Sequence, residues 1–179
     1  MSMLPPPASA GLPAVTAAQM ADIDRRMIED LGVALPMMME HAGAAVARLA
    51  MTLWNPQRVT VLAGTGGNGG GALVAARHLV NRGVGVAVTA TSADRMGPVP
   101  TLQLTIANRL GIPIEDAPTP GDVIIDGIIG YSLSGDPRQR AADLIEWANS
   151  AASPIISVDI PSGLTLRPAK QGVRASTPR

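Results

Sequence analysis

Apolar residues follow two alternating patterns along the chain: short, nearly continuous runs, and longer stretches in which they recur at helical spacing. The short runs are rich in Val and Ile and predict strands at 58–64, 84–91, 122–126 and 154–159. The longer stretches predict helices at 16–32, 35–54, 72–83, 98–111 and 136–150. Because the apolar strands alternate with helices, the pattern predicts an α/β fold with a mostly parallel sheet covered on both faces.

The helix boundaries carry their own signals. Thr16 and Gln19 have the spacing of a capping box, which predicts the start of the first helix. Pro36 lies near the start of the second helix, where its missing N–H is tolerated. The last helix is predicted to begin with Asp136 as its N-cap residue and Pro137 in the first turn.

Composition narrows the class of protein. The 179 residues carry a net charge of zero, which gives no electrostatic argument for a nucleic acid or an anionic membrane as partner. There is no Cys, which excludes disulfides, thiolate metal sites and a Cys nucleophile. No signal peptide or membrane-spanning run is evident, so we expect a cytoplasmic protein. We expect one domain at 16–164 between disordered tails at 1–15 and 165–179.

Six glycines lie within residues 64–71, directly after the first predicted strand. Glycine loses much backbone freedom on folding, so this density suggests that a ligand approaches the bare backbone. Gly64, Gly66 and Gly69 fit a dinucleotide fingerprint, but the acidic residue expected further on is absent. The stretch has no Lys, which excludes a P-loop. A phosphate site at a helix N-terminus is favoured, with a tight turn as the alternative.

Three predicted strands end in polar residues that could share one site. Asn68 follows the first strand, Asp126 ends the third, and Asp159 and Ser162 follow the fourth. If these strands are parallel neighbours, their carboxyl ends meet in one crevice, where ligands bind in such sheets. These oxygen atoms suit a hard cation. The alternative for each carboxylate is a capping or loop-bracing role. The two histidines, at positions 41 and 78, are interpreted as structural.

Four parts of the chain form an ordered set of motifs: "TAAQMADID" at 16–24, "MMMEHAG" at 37–43, "GTGGNGGGALVAARHL" at 64–79, and the two acidic strand ends in "DVIIDGIIGYSLSGDPR" and "SVDIPSGL". Taken together, they resemble the YjeF N-terminal domain family, the NAD(P)H-hydrate epimerases. They occur in the family's order. The resemblance implies a Rossmann-like three-layer α/β/α sandwich that forms a homodimer. It also implies an isomerase that interconverts the R and S forms of hydrated NADH or NADPH, a repair of nicotinamide nucleotides.

The resemblance also implies a set of site residues. K⁺ would be bound by Asn68, Asp126 and Ser162. Asp126 and Asp159 would be the catalytic carboxylates, with their separate roles left open. The residues implied to contact the nucleotide substrate are Gly67, Asn68, Gly69, Gly70, Gly71, Gly130, Tyr131, Ser132, Leu133, Ser134, Gly135, Asp136 and Asp159.

The sequence departs from the family pattern at a few positions. Gly71 stands where the family has Asp, Gly67 where it has Asn, and His41 where it usually has Asn. The family also continues with more strand and helix beyond the Pro-Ser-Gly motif, and residues 165–179 do not resemble those elements. These departures favour an alternative, a Rossmann-like nucleotide-binding or scaffold module that has lost epimerase activity.

Overall fold

The computed structural model describes residues 15–131, 133 and 135–164. Its strands are β1 (Arg58–Ala63), β2 (Gly85–Ala90), β3 (Val123–Gly127) and β4 (Ile155–Ser157), and its helices are α1 (Ala17–Glu29), α2 (Leu35–Trp54), α3 (Gly67–Val80), α4 (Pro98–Arg109) and α5 (Arg140–Ser150). A short 3₁₀ turn, Ala93–Arg95, follows β2. All strand pairs are parallel, in the order β2-β1-β3-β4. The predicted α/β fold with a parallel sheet is confirmed.

Alternate residues of the strands enter two separate apolar cores, one on each face of the sheet. Val61 and Ile125 face a core that includes residues of α2, α3 and α4. Leu62 and Ile124 face the other core, which is completed by α5. The strand period of two therefore puts apolar side chains on both faces, which is why these runs are nearly continuous in sequence.

Two helix starts differ in how well they were predicted. The capping box at the start of α1 is present, since the Thr16 hydroxyl accepts from Gln19 N–H and the Gln19 side chain accepts from Thr16 N–H. The prediction for α5 was wrong, because the helix begins at Arg140 and the N-cap position is Gln139, not Asp136. Residues 135–139 instead form a bend and an irregular segment before the helix, and Pro137 in this segment lies close to Gly163 beyond β4.

The predicted start of α3 at residue 72 was also wrong. The helix begins at Gly67, so most of the glycine-rich stretch forms its first turns. Close packing explains this: a Cβ at Gly64 would lie 1.8 Å from the Ile128 carbonyl oxygen, and one at Gly69 would lie 1.9 Å from the Gly64 carbonyl oxygen. The glycines therefore let the start of α3 approach the ends of β1 and β3.

Two other expectations concern membrane-spanning helices and the two tails. No helix in the described ranges is long and apolar enough to span a bilayer. The predicted tails, 1–15 and 165–179, lie outside the described residues except for residue 15.

Candidate functional site

The carboxyl ends of β1, β3 and β4 lie side by side, as the sequence predicted. Leu62 of β1 is paired with Asp126 of β3, and Asp126 is paired with Ser157 of β4. The first turn of α3, which carries Asn68, lies against the same ends, since its backbone closely approaches Gly127. The polar residues that follow three different strands therefore share one crevice.

Asp126 is the most enclosed carboxylate of the crevice, with 6% of its surface exposed. One oxygen accepts from the Ser162 hydroxyl at 2.5 Å and from Ile128 N–H at 3.2 Å. The other accepts from Ser162 N–H at 2.9 Å and from the Ser157 hydroxyl at 3.0 Å. These contacts give a buried charge the hydrogen-bond donors that it needs. They also fix the loop after β4 to the end of β3.

Ser162 also connects the loop after β4 to the residues that follow β3. Its hydroxyl oxygen accepts from Ile129 N–H at 2.8 Å and lies 3.1 Å from the Ile129 carbonyl oxygen. Because a hydroxyl carries a single proton, it can donate either to Asp126 or to Ile129, and the Asp126 contact is the shorter. The hydroxyl oxygen therefore lies between a carboxylate and a backbone carbonyl.

Asn68 is held at the start of α3 by the loop after β4. Its Nδ2 donates to the Val158 carbonyl oxygen at 2.7 Å. Its side chain lies so close to Gly130 that a Cβ there would be 2.6 Å from both Oδ1 and Nδ2. Gly130 thus makes room for the Asn68 amide, and the bond from Nδ2 leaves Oδ1 available as an acceptor.

Asp159 differs from Asp126 in being exposed and conformationally strained. Its φ is +69°, in the left-handed region that non-glycine residues rarely occupy. Partial burial raises the pKa of Asp159, a hydrogen bond from Tyr131 N–H opposes the rise, and the charge of Asp24 adds to it. Strain together with a raised pKa is typical of functional carboxylates.

Two contributors to the crevice were missed from the sequence. Asp24 of α1 accepts from the Tyr131 hydroxyl at 2.7 Å, and this bond, followed by burial, raises the pKa of Tyr131 to about 12. Ser157 donates to Asp126. Both residues lie within stretches that resemble the family, Asp24 at the end of "TAAQMADID" and Ser157 at the start of "SVDIPSGL", but neither was assigned to the site. The first lies in a helix far in sequence from the strand ends, and the second is a Ser within a strand.

The remaining predicted substrate contacts belong to two segments, the start of α3 and the stretch between β3 and α5. Gly67, Gly69, Gly70 and Gly71 are in the first turns of α3, and the last three are buried. Gly70 packs against Met39, while a Cβ at Gly71 would lie 3.3 Å from a Val158 methyl group. Leu133, Gly135 and Asp136 lie between β3 and α5. Ser132 and Ser134 lie outside the described residues.

A second polar cluster lies at the other end of α3. Glu40 of α2 forms an ion pair with Arg77 and a hydrogen bond with His78 Nε2 at 2.7 Å. Burial raises the pKa of Glu40, but the hydrogen bonds from Arg77 and His78 outweigh it and lower the pKa overall. A cavity of about 710 Å³ borders this cluster and is also lined by His41. Both histidines therefore lie outside the crevice. A separate cavity of about 210 Å³ lies beside Asp126 and Ser162 and is lined by residues of β4 and α5.

Curated proteins similar to this chain include NAD(P)H-hydrate epimerases and bifunctional NAD(P)H-hydrate repair enzymes. The NAD(P)H-hydrate epimerase of Dehalogenimonas lykanthroporepellens is 43% identical over 158 residues, which cover 84% of this chain and 64% of that protein. This chain therefore spans slightly less than two thirds of that relative. The NAD(P)H-hydrate epimerase of Limosilactobacillus fermentum is 34% identical over 157 residues, covering 84% of this chain and 75% of that protein.

A solved structure and a family model agree with these relatives. The crystal structure of yeast ynu0 matches with a TM-score of 0.77 and 26% identity, covering 84% of this chain and 71% of that one. The family model described as YjeF-related protein N-terminus matches residues 36–177. This range includes the start of α3 and both acidic strand ends, so the chain belongs to the YjeF-related protein N-terminus family.

Proposed function

We propose that this protein is an NAD(P)H-hydrate epimerase, the activity that its relatives are named for. One observation carries the proposal. Asp159, an exposed carboxylate with a strained backbone, and the start of α3 both lie at the carboxyl ends of the parallel strands. Such an edge binds nucleotides in open α/β sheets. A proton-exchanging group beside a nucleotide site is what an epimerase of a hydrated nicotinamide ring requires.

The start of α3 is suited to the phosphates of the substrate. The first N–H groups of a helix have no partner within the helix, and the helix dipole favours negative charge there. Gly66 and Gly67 at this end are exposed, and a Cβ at Gly66 would meet nothing within 4 Å. A phosphate oxygen can therefore approach the backbone directly.

Asp159 is assigned as the acid/base group. Epimerisation of the hydrated carbon requires a hydroxyl to leave and return, or an equivalent ring opening. In the first route the acid donates a proton to the departing hydroxyl, which leaves as water. The carboxylate then takes a proton from the water that adds to the other face. The raised pKa of Asp159 supports this role because it brings the protonated form closer to neutral pH.

Asp126 is assigned to ion binding and to organisation of the site. Both of its oxygens already accept hydrogen bonds, and it is nearly fully buried. No Lys or Arg forms an ion pair with it among residues 15–131, 133 and 135–164. A buried carboxylate without a cationic partner is stabilised by a bound cation.

K⁺ fits the oxygen atoms gathered here. Asn68 Oδ1, the Asp126 carboxylate and the Ser162 hydroxyl are oxygen ligands, the type that hard cations prefer. We propose that these three residues bind K⁺, which would neutralise the charge of Asp126. The ion would also fix the loops after β3 and β4 around the substrate.

A second candidate is a module that binds the nucleotide without turnover. Gly71, which stands where the family has Asp, favours it, because Gly71 is buried near Val158 and presents no side chain to the crevice. If the family's Asp is essential for chemistry, this chain would keep the binding surface and lose the reaction.

The test supplies pure R-hydrate of NADH with K⁺ and follows formation of the S form by chromatography. Epimerisation faster than the spontaneous rate supports the enzyme. A rate equal to the spontaneous one, with nucleotide binding detected by calorimetry, supports the binding module instead. Replacing K⁺ by a large organic cation in the same assay tests the ion, and an unchanged rate would count against its role.

A further inference from the structure

Helix α1 contributes a residue to the crevice although it contributes none to the core. None of its residues is buried. Two arginines of α1, Arg25 and Arg26, are engaged by Asp22 on the same helix. Asp24 is left to face the rest of the domain, where it accepts the hydrogen bond from Tyr131. This bond spans 107 positions in sequence and joins α1 to the segment after β3.

Tyr131 contacts two carboxylates through two different groups. Its hydroxyl donates to Asp24 at 2.7 Å, while its backbone N–H lies close enough to the carboxylate of Asp159 to lower the pKa of that group. The same residue follows Gly130, whose backbone lies against the Asn68 amide. Any movement of Tyr131 would therefore change the orientation of Asp159. It would also disturb the space around Asn68.

We propose that Asp24 is a positioning residue for Asp159 and acts through Tyr131. This inference rests on the proposed acid/base role of Asp159. Asp24 fixes the phenol, the phenol fixes the backbone of its own residue, and the backbone N–H orients the Asp159 carboxylate toward the hydrated ring. Helix α1 thereby completes the site without touching the reacting atoms. A displacement of about 1 Å at such a group can lower a rate by about 100-fold.

The first test does not depend on activity. Tyr131 is the single Tyr of the chain, so its ionisation can be followed by ultraviolet absorbance without overlap from another phenol. We expect Asp24→Asn to lower the pKa of Tyr131 from about 12 toward the ordinary value of about 10. The ¹³C signal of the Asp159 side-chain carboxyl should shift in the same variant. Asp30→Asn, at the exposed end of α1, is the matched control and should change neither signal.

The second test measures turnover. We expect Asp24→Asn and Tyr131→Phe to lower kcat by about 10- to 100-fold with KM changed little, because binding contacts at α3 remain. Asp24→Glu, which keeps the acceptor charge, should recover part of kcat. Circular dichroism shows whether each variant is folded, and Tyr131→Phe removes the bond without altering α1.

The outcomes separate this inference from the proposed function. If the wild-type protein does not epimerise the hydrate but both spectroscopic signals shift, the coupling stands and the proposed function fails. If neither signal shifts in Asp24→Asn, the inference is overturned whatever the activity. It is also overturned if the signals shift while kcat stays within twofold of the wild-type value.

Discussion

The two ends of α3 carry polar clusters that differ in how their charges are balanced. At the end of the helix, Arg77 forms an ion pair with Glu40, which also contacts His78, so the charge of Glu40 is matched by that of Arg77 within the cluster. At the start, Asp126 has hydrogen-bond donors but no cationic side chain paired with it in the described part of the chain. A cavity of about 710 Å³ lies beside the balanced cluster, and one of about 210 Å³ lies beside Asp126. The proposed ligand site rests on the unbalanced charge and not on cavity volume.

The helix dipole strengthens this difference. Arg77 and His78 lie in the last turn, where cations offset the partial negative charge of the helix end. The first turn contains no acidic residue and has glycine at most positions. Its partial positive charge is therefore free to act on an anion that enters the crevice. One end of α3 is thus complete within the protein, while the other is suited to a bound phosphate.

The largest expected effect concerns the proposed acid/base group. We expect Asp159→Asn to lower the epimerisation rate by about 10²- to 10⁴-fold, the usual contribution of such a group. Asn tolerates the left-handed backbone found at this position, so the fold should be kept. The measurement is the rate of S-hydrate formation under saturating substrate. Asp143→Asn, at an exposed aspartate of α5, is the matched control and should keep the wild-type rate.

Asp159→Asn should also change how the free energy of unfolding depends on pH. Folding raises the pKa of Asp159, so the stabilisation from its protonated form is present below the unfolded pKa and is lost as pH rises through the folded pKa. At neutral pH the charged form opposes folding, and Asp159→Asn should not lower the free energy of unfolding. A clear loss of stability in urea at pH 7 would contradict the interpretation of Asp159 as a strained functional residue.

The next largest effect concerns the buried carboxylate. In Asp126→Asn an amide nitrogen replaces one of two oxygens that each accept two hydrogen bonds, so the backbone N–H of either Ser162 or Ile128 loses its acceptor. We expect a loss of about 3 kcal/mol in the free energy of unfolding, measured by urea denaturation. Asp122→Asn is the control, since Asp122 accepts from two backbone N–H groups but is exposed at the other end of β3, and its loss should be smaller.

Asp126→Asn should also remove any response of stability to K⁺. The free energy of unfolding of the wild-type protein should be higher in KCl than in the chloride salt of a large organic cation at the same concentration. The reason is that a ligand which binds the folded state stabilises it. An equal response to K⁺ in wild type and variant would count against Asp126 as an ion ligand.

A smaller effect is expected where glycine makes room for Asn68. Gly130→Ala puts a Cβ against the Asn68 amide and should break its bond to Val158, which stabilises the fold by about 1 kcal/mol. Gly85→Ala is the matched control, because Gly85 starts β2, away from the crevice, and a Cβ there would lie no closer than 3.4 Å to its neighbours. If Gly130→Ala is as stable and as active as Gly85→Ala, the placement of Asn68 does not matter for the site.

Much of this site was predictable because strand ends are easy to locate. Val and Ile runs gave the strands, and parallel neighbours necessarily bring Asp126 and Ser162 to one edge. Local signals failed where a tertiary contact decided the structure. Gly69 starts a helix turn because it must approach Gly64, and α5 starts late because residues 135–139 reach toward the loop after β4.

The contribution of α1 could not be predicted for a related reason. Asp24 and Tyr131 are 107 positions apart, and neither belongs to a motif that requires the other. The register of α1 against the domain depends on three-dimensional packing, which helical periodicity alone does not contain. The strained backbone of Asp159 was equally hidden, since positive φ at a non-glycine residue is imposed by its surroundings.

The smallest expected effect tests the balanced end of α3. Glu40 is 44% exposed, so its ion pair with Arg77 is screened by solvent, and Glu40→Gln should cost about 0–1 kcal/mol at pH 7. Because the pKa of Glu40 is lowered, its contribution is present above the unfolded pKa and is lost as pH falls through the folded pKa. The stability difference between wild type and variant, measured in urea, should therefore shrink between pH 7 and pH 3. Epimerisation should stay within twofold, and a larger loss would mean that this end of α3 serves the reaction after all.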